Sequence, residues 1–323
     1  RVSSLLAAVL PLTVVEQFGD PTTGWLVMAV IFSVFYAIPW MAMFFFTHER
    51  VPLGEERSTF SLESFLRPFH VRTFRKLLMM YFLAYLSMDV VAAVFQYYMY
   101  YYLDRKDEAD LVIGTMLIAQ IVLIPLVVTM ANRHGKALVY SVSIVVWLAG
   151  ACLLAMYQPS WPDYAIYLVA ALVGAGVVGC VVMPWSIFPD VADVGELRYG
   201  YRIAGSFSGV LTFSRKFSGA IGIFAVGMIL EFSGYLPPIK GMQDGRYVET
   251  LQAQPDSVIT ALQLIVFLVP VMLLIPAFFA ARSYPLDKRT HGKLRRFLEF
   301  QRGEKSTSNL SDEELESMKR LLI

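Results

Sequence analysis

Seven stretches of this sequence run for about 20 residues or more with scarcely a charged side chain, at 25–46, 77–103, 111–131, 137–157, 164–185, 203–230 and 258–281. About 20 apolar residues in a helix cross a hydrocarbon core of about 30 Å. In lipid the backbone must satisfy its own polar groups, so a segment of this kind is a helix. A shorter apolar run, 2–15, precedes them and reads as a partial span whose beginning is lost. The expected fold is therefore an all-α polytopic membrane protein with about eight transmembrane helices. Composition agrees: 57% hydrophobic and 16% charged residues exceed the apolar share of soluble domains, roughly 45–50% with about 25% charged.

Orientation follows from lysine and arginine. Alternate connections carry Arg50, Arg57, Arg67, Arg72, Arg75 and Lys76, then Arg133 and Lys136, then Arg198 and Arg202, and the tail after Arg282 is basic too. The opposite connections carry only Arg105, Lys106, Lys240 and Arg246. The positive-inside rule makes the basic set and the C-terminus cytoplasmic, in a plasma (bacterial inner) membrane. The segment 47–76 is long and polar, with a helix start at Ser58-Thr59-Phe60-Ser61-Leu62-Glu63. It divides the chain into 1–46, the last two helices of one bundle; 47–76, a central cytoplasmic loop; 77–283, a six-helix bundle; and 284–323, a cytoplasmic tail. Ser311-Asp312-Glu313-Glu314 ahead of Leu315, Met318 and Leu321 is a capping-box pattern and predicts a short tail helix. Cys152 and Cys180 lie inside apolar runs without metal-ligand spacing and read as packing residues.

The residues with chemistry to offer are few. Lys216 lies about 13 residues into its span, about 20 Å along a helix axis. A charge at that depth costs roughly 3 kcal/mol and calls for a partner or a wet cavity. Thr212, Gly209 and Gly205 share its face, where small residues admit a neighbouring helix or a substrate. Lys216 reads as a cation organising a substrate or ion site, the alternative being a structural ion pair between helices. Arg215 points about 100° away and reads as structural. Asp89 is a mid-span carboxylate whose stripe includes Tyr85, Gln96 and Tyr100. It suits a coupling cation, a pair with Lys216, or a substrate hydroxyl; a protonated acid bonding a neighbouring helix is the alternative. The run Phe95-Gln96-Tyr97-Tyr98-Met99-Tyr100-Tyr101-Tyr102 reads as an interfacial belt. Tyr97 and Tyr100 on one face offer stacking to a sugar ring or amphiphile. The charged stretch from Asp190 to Arg202 reads either as a gate or as a solvated loop. Asn132-Arg133-His134-Gly135-Lys136 is a basic turn. No P-loop, dinucleotide turn, HExxH or GxSxG pattern is present, so ATP-driven transport, hydrolysis and nucleic-acid binding lack support.

The run Met183-Pro184-Trp185-Ser186-Ile187-Phe188-Pro189-Asp190-Val191-Ala192-Asp193-Val194-Gly195-Glu196 carries further information. With Gly200-Tyr201-Arg202, Gly205-Ser206 and Thr212-Phe213-Ser214-Arg215-Lys216, it resembles the glycoside–pentoside–hexuronide:cation symporter family, whose best-known member is the melibiose carrier. Tyr97-Tyr98 with Tyr101, Phe74-Arg75-Lys76 and Arg133-His134-Gly135-Lys136 match as well. The resemblance implies a twelve-helix major-facilitator fold of which this chain holds helices 5–12, and symport of a sugar with Na+, Li+ or H+ by alternating access. It implies a substrate and cation site including Lys216 and Thr212, to which the readings above add Asp89, Gln96, Tyr97, Tyr100 and Trp185. It implies a cytoplasmic gate of Asp190, Asp193, Glu196 and Arg202, with Arg133 from the basic turn. The family's main cation-binding acids lie on helices two and four, outside this chain. Asp89 matches no family hallmark. The Met-Pro-Trp-Ser run also resembles the lysophospholipid symporters, whose substrate is an amphiphile. No cofactor is expected beyond the coupling cation, Na+ or H+, and the unit is expected to be monomeric among membrane lipids, with a small-molecule substrate and no nucleic acid. The other classes open to this sequence are a membrane-embedded lipid- or glycolipid-processing enzyme, for which Asp190, Asp193 and Glu196 are the only candidate acids, and a non-transporting sensor.

Overall fold

The computed structural model describes residues 14–15, 17–18, 20–47, 62–201, 203–243, 246–302 and 311–323. Seven of the described helices are long and apolar enough to cross a membrane. The chain is an all-α polytopic integral membrane protein. It forms two compact units, Arg1–Ser61 and Leu62–Ile323.

In the first unit, helix α1 (Pro21–Phe46) is capped by Asp20, whose carboxylate accepts from the Thr22 and Thr23 amides and so satisfies two orphan donors. The partial span 2–15 and the helix start at 58–61 fall, apart from Val14 and Val15, outside the described residues.

The second unit opens with a short helix α2 (Leu62–Leu66) and a 3-10 turn, Arg67–His70. Six long helices follow: α3 (Arg72–Tyr97), α4 (Ala109–His134), α5 (Lys136–Met156), α6 (Asp163–Tyr199), α7 (Ala204–Phe232) and α8 (Asp256–Arg282). Helix α3 ends in a π-helical turn, Tyr98–Tyr102. Between α7 and α8 the strands β1 (Ile239–Gln243) and β2 (Arg246–Thr250) pair antiparallel, a hairpin that the sequence reading did not foresee. The tail forms α9 (Lys288–Gln301) and α10 (Asp312–Leu322). Ser311 and Glu314 make the expected capping box, and α10 buries Met318 and Leu322. Leu321 is exposed.

The helix limits agree with the apolar runs to within a few residues, with one large exception. Helix α6 does not stop near Trp185 but continues through Pro184 and Pro189 to Tyr199, for 37 residues. At 1.5 Å per residue it is about 55 Å long, well beyond a hydrocarbon core of about 30 Å. What reads as a connection is therefore a helical extension, and Asp190, Asp193 and Glu196 lie on it at intervals of three.

Helix α6 sits at the centre of the unit, against α4, α5 and α3, while α3 also packs on α7 and α8. Glycines make these approaches possible. A Cβ on Gly174 would lie 2.5 Å from the Met116 carbonyl oxygen of α4, and one on Gly176 would overlap the Trp147 backbone of α5. Buried tyrosines donate to carbonyls across helices, Tyr140 to Met80 at 2.7 Å and Tyr98 to Leu154 at 2.7 Å, so their polar ends are satisfied inside an apolar core. The connections rich in lysine and arginine gather at the end of the bundle that carries the tail. There Lys76 donates to the Ser283 carbonyl and Lys288 to that of Asn132.

Candidate functional site

Two polar assemblies interrupt this apolar bundle. The first is inside it, between α3 and α7. Asp89 is paired with Arg215, through Nη1–Oδ2 at 2.5 Å and Nη2–Oδ1 at 2.9 Å, the two-pronged geometry in which a guanidinium holds a carboxylate best. Ser218 Oγ lies 3.3 Å from Asp89 Oδ2. The Arg215 guanidinium also rests 4.7 Å over the Tyr85 ring, a cation–π contact. Trp185 Nε1 donates to the Tyr85 hydroxyl at 3.1 Å. The Tyr81 ring meets both Tyr85 and Trp185, and its buried hydroxyl has no hydrogen-bond partner among the described residues. The close approach of α7 to α3 depends on Gly222, where a Cβ would sit 3.3 Å from Asp89 Cβ. Trp185 remains 46% exposed, so the assembly is open on one side.

This geometry changes the sequence reading in one respect. Asp89 pairs with Arg215, and not with Lys216. The two basic residues are neighbours on a helix and point about 100° apart, so a single acid on α3 meets only one of them. Lys216 and Thr212 are exposed, as are Gly205 and Gly209, and nothing described lies within 4 Å of a Cβ at either glycine. Lys216 has no hydrogen bond or ion pair among the described residues. Beside it Phe213 and Phe217 stack at 5.6 Å, and Phe217 stacks on Phe82 at 6.3 Å.

The aromatic run lies further along α3, away from the ion pair. Gln96 is exposed. Tyr97 stacks on Tyr101 and meets Tyr235 edge-on at 5.5 Å, while Lys106 lies 5.8 Å over the Tyr100 ring. Tyr97 and Tyr100 therefore belong to a separate cluster at the far end of the bundle. Of the expected site residues, only Asp89 and Trp185 are brought to one place.

The second assembly is at the tail end. Lys136 Nζ lies 2.6 Å from Asp190 Oδ2 and donates to the Ser186 carbonyl at 2.7 Å. His291 Nε2 is 3.1 Å from Asp193 Oδ2 and 3.7 Å from Asp190 Oδ1. Arg302 holds Glu196 with two bonds, at 2.8 and 2.5 Å. The hydrogen bond to Asp193 holds the His291 pKa above its ordinary value, against an opposing effect of burial. The sequence reading groups these acids with Arg202 and Arg133. In the structure their partners come from the same unit, from the start of α5 and from α9. Arg133 is exposed and has no ion pair among the described residues, whereas Lys136, three residues on, is turned inward by the start of α5. Arg202 lies outside the described residues.

Comparisons with known proteins place the chain among its relatives. A family model described as MFS/sugar transport protein matches residues 1–288. A putative sulfoquinovose importer of Salmonella typhimurium is 29% identical over 80% of this chain and 52% of its own length. The isoprimeverose transporter of Lactiplantibacillus pentosus is 24% identical over 73% of this chain and 50% of its own length. The sodium-dependent lysophosphatidylcholine symporter 1 of Mus musculus is 23% identical over 70% of this chain and 40% of its own length. All are named as importers, transporters or symporters, and none as an enzyme. The chain spans about half the length of these relatives.

Proposed function

The chain belongs to the MFS/sugar transport protein family, and from that premise we propose that it forms part of a secondary active transporter that couples uptake of a sugar or glycoside to a cation. The match over residues 1–288 and the relatives named as importer, transporter and sodium-dependent symporter support this reading. So does the position of the inner assembly, which sets a part-buried carboxylate–guanidinium pair on two membrane helices. In a membrane helix such groups mark a pathway or a binding site.

In this reading Asp89, Arg215, Tyr85 and Trp185 form one wall of the substrate site. The indole ring offers an apolar face to a sugar ring, and the ion pair offers hydrogen-bonding groups to hydroxyls. Lys216 and Thr212, on the open face of α7, stand at the coupling site. The main cation ligands come from helices outside this chain, and Na+ or H+ is the coupling ion. The chain supplies helices 5–12 of twelve: 1–46 the end of the first bundle, 47–76 the central loop, 77–283 the second bundle and 284–323 the tail. The tail end is cytoplasmic, by its lysines and arginines, and the transporter is a monomer in the plasma membrane.

A second reading has a specific observation behind it. The stacked ladder of Phe82, Phe213 and Phe217 beside Lys216 suits an amphiphile with a charged head and an apolar tail. Accumulation by the full-length protein in proteoliposomes tests both. A cation gradient driving uptake of a sugar, but not of a lysolipid, is expected; gradient-driven uptake of the lysolipid alone would replace the first reading with the second. Binding of either without any flux would contradict transport.

A further inference from the structure

The family match ends at residue 288, where α9 begins, so the tail helices lie beyond the matched region. They are nevertheless firmly attached. Helix α9 starts at Asp287, whose side chain accepts from the Thr290 amide at 2.7 Å, and buries Leu294 and Leu298. Helix α10 is tied to α9 by Lys293 and Glu314 at 2.7 Å. Its last carbonyls close the start of α3: Leu322 accepts from Thr73 Oγ1 at 2.6 Å, and Ile323 from the Arg72 amide at 3.0 Å. The tail thus runs as a strap from the acid row of α6 to the first turn of α3.

Among the described residues, the ion pairs along that row set two fixed cations against three acids when the histidine is left out. Asp190, Asp193 and Glu196 face two fixed cations, Lys136 and Arg302, and His291 stands where a third charge would complete the set. The groups facing His291 are Asp190 and Asp193 from α6 and Lys136 from α5. Tyr284, ahead of α9, brings a buried hydroxyl with no hydrogen-bond partner among the described residues. The His291 imidazole is a group whose ordinary titration falls between about pH 6 and 8.

We propose that the tail is a proton-tightened strap, in which charged His291 completes the ion-pair row and clamps α9 onto the end of α6. Neutral His291 releases the first half of α9 while Arg302 keeps its hold on Glu196. The sign follows from the raised pKa: the clamp is complete below the ordinary value of 6.5 and is lost as pH rises through the higher value His291 has when docked. The strap holds the acids that the transport reading assigns to a gate, so on that reading docking and gating compete, and turnover rises as the strap loosens.

Hydrogen exchange of α9 amides in the full-length protein, expressed as protection factors, tests the strap without any transport assay. Protection in the wild type is expected to fall several-fold between about pH 6 and 8.5, as His291 loses its proton. His291→Arg keeps a charge at both pH values and should hold protection high; His291→Ala should leave it low at both. Wild-type protection that ignores pH, or the same fall in His291→Arg, overturns the strap. Substrate counterflow provides the second arm. A rate that rises with pH in the wild type and stays low in His291→Arg supports competition with the gate. Equal pH profiles in the two would overturn that competition even with exchange as expected. If no form shows counterflow, the transport reading fails and exchange alone decides the strap.

Discussion

Arg215 illustrates how one residue can carry an assembly. Its guanidinium engages two oxygens of Asp89 and covers the Tyr85 ring, and Tyr85 in turn accepts from Trp185. Removing either charge leaves the other without its partner in an apolar bundle, which costs more than the pair itself contributes. Asp89→Asn and Arg215→Gln should each lower stability in detergent, and the double variant should recover part of the loss. The coupling between them is expected on the order of 1–3 kcal/mol, read from thermal or denaturant midpoints in a double-mutant cycle. Simple additivity would mean that the two side chains do not act as a unit. Much of this site was legible in the sequence as a list of polar residues in greasy helices. The pairing was not, because Arg215 and Lys216 are adjacent and the choice between them depends on the rotation of α7 about its axis. That rotation is set by Gly219, Gly222 and the buried stripe of Phe207, Leu211, Ser214 and Ser218, which becomes visible only once α3 is placed against it.

At the scale of elements, apolar length identified the spans but not where α6 stops. Helix α6 carries two prolines near its expected end, and each removes one backbone hydrogen bond. It continues because its extension is packed and its acids are paired with α5 and α9. His291 and Arg302 could not be found beforehand, since both lie about 100 residues from the acids they meet. The capping box of α10 was legible because it is local, four residues reading one another. Ser311→Ala should loosen α10 by about 1 kcal/mol, seen as faster exchange in 312–322 with little change elsewhere. Helix contact makes a sharper prediction. Gly176→Ala forces a methyl into the Trp147 backbone and should destabilise the bundle by about 1–3 kcal/mol. Gly205→Ala, with nothing near it among the described residues, should leave the melting temperature unchanged or raise it slightly. A loss of transport in Gly205→Ala at unchanged stability would mark the Lys216 face as a working surface.

Taken whole, the second unit is a membrane bundle that leaves one row of α7 uncovered and closes one end with its own tail. The tail meets Asp190, Asp193 and Glu196 through His291 and Arg302, and on the strap proposal this end responds to protons through His291. The uncovered row, Gly205, Gly209, Thr212 and Lys216, is where coupling is proposed. The most direct test is initial uptake by the full-length protein with and without a Na+ or H+ gradient, comparing wild type with Lys216→Ala. Loss of the gradient's stimulation, with the protein still folded and inserted, is the predicted result. Stimulation of the same size in Lys216→Ala would contradict the account.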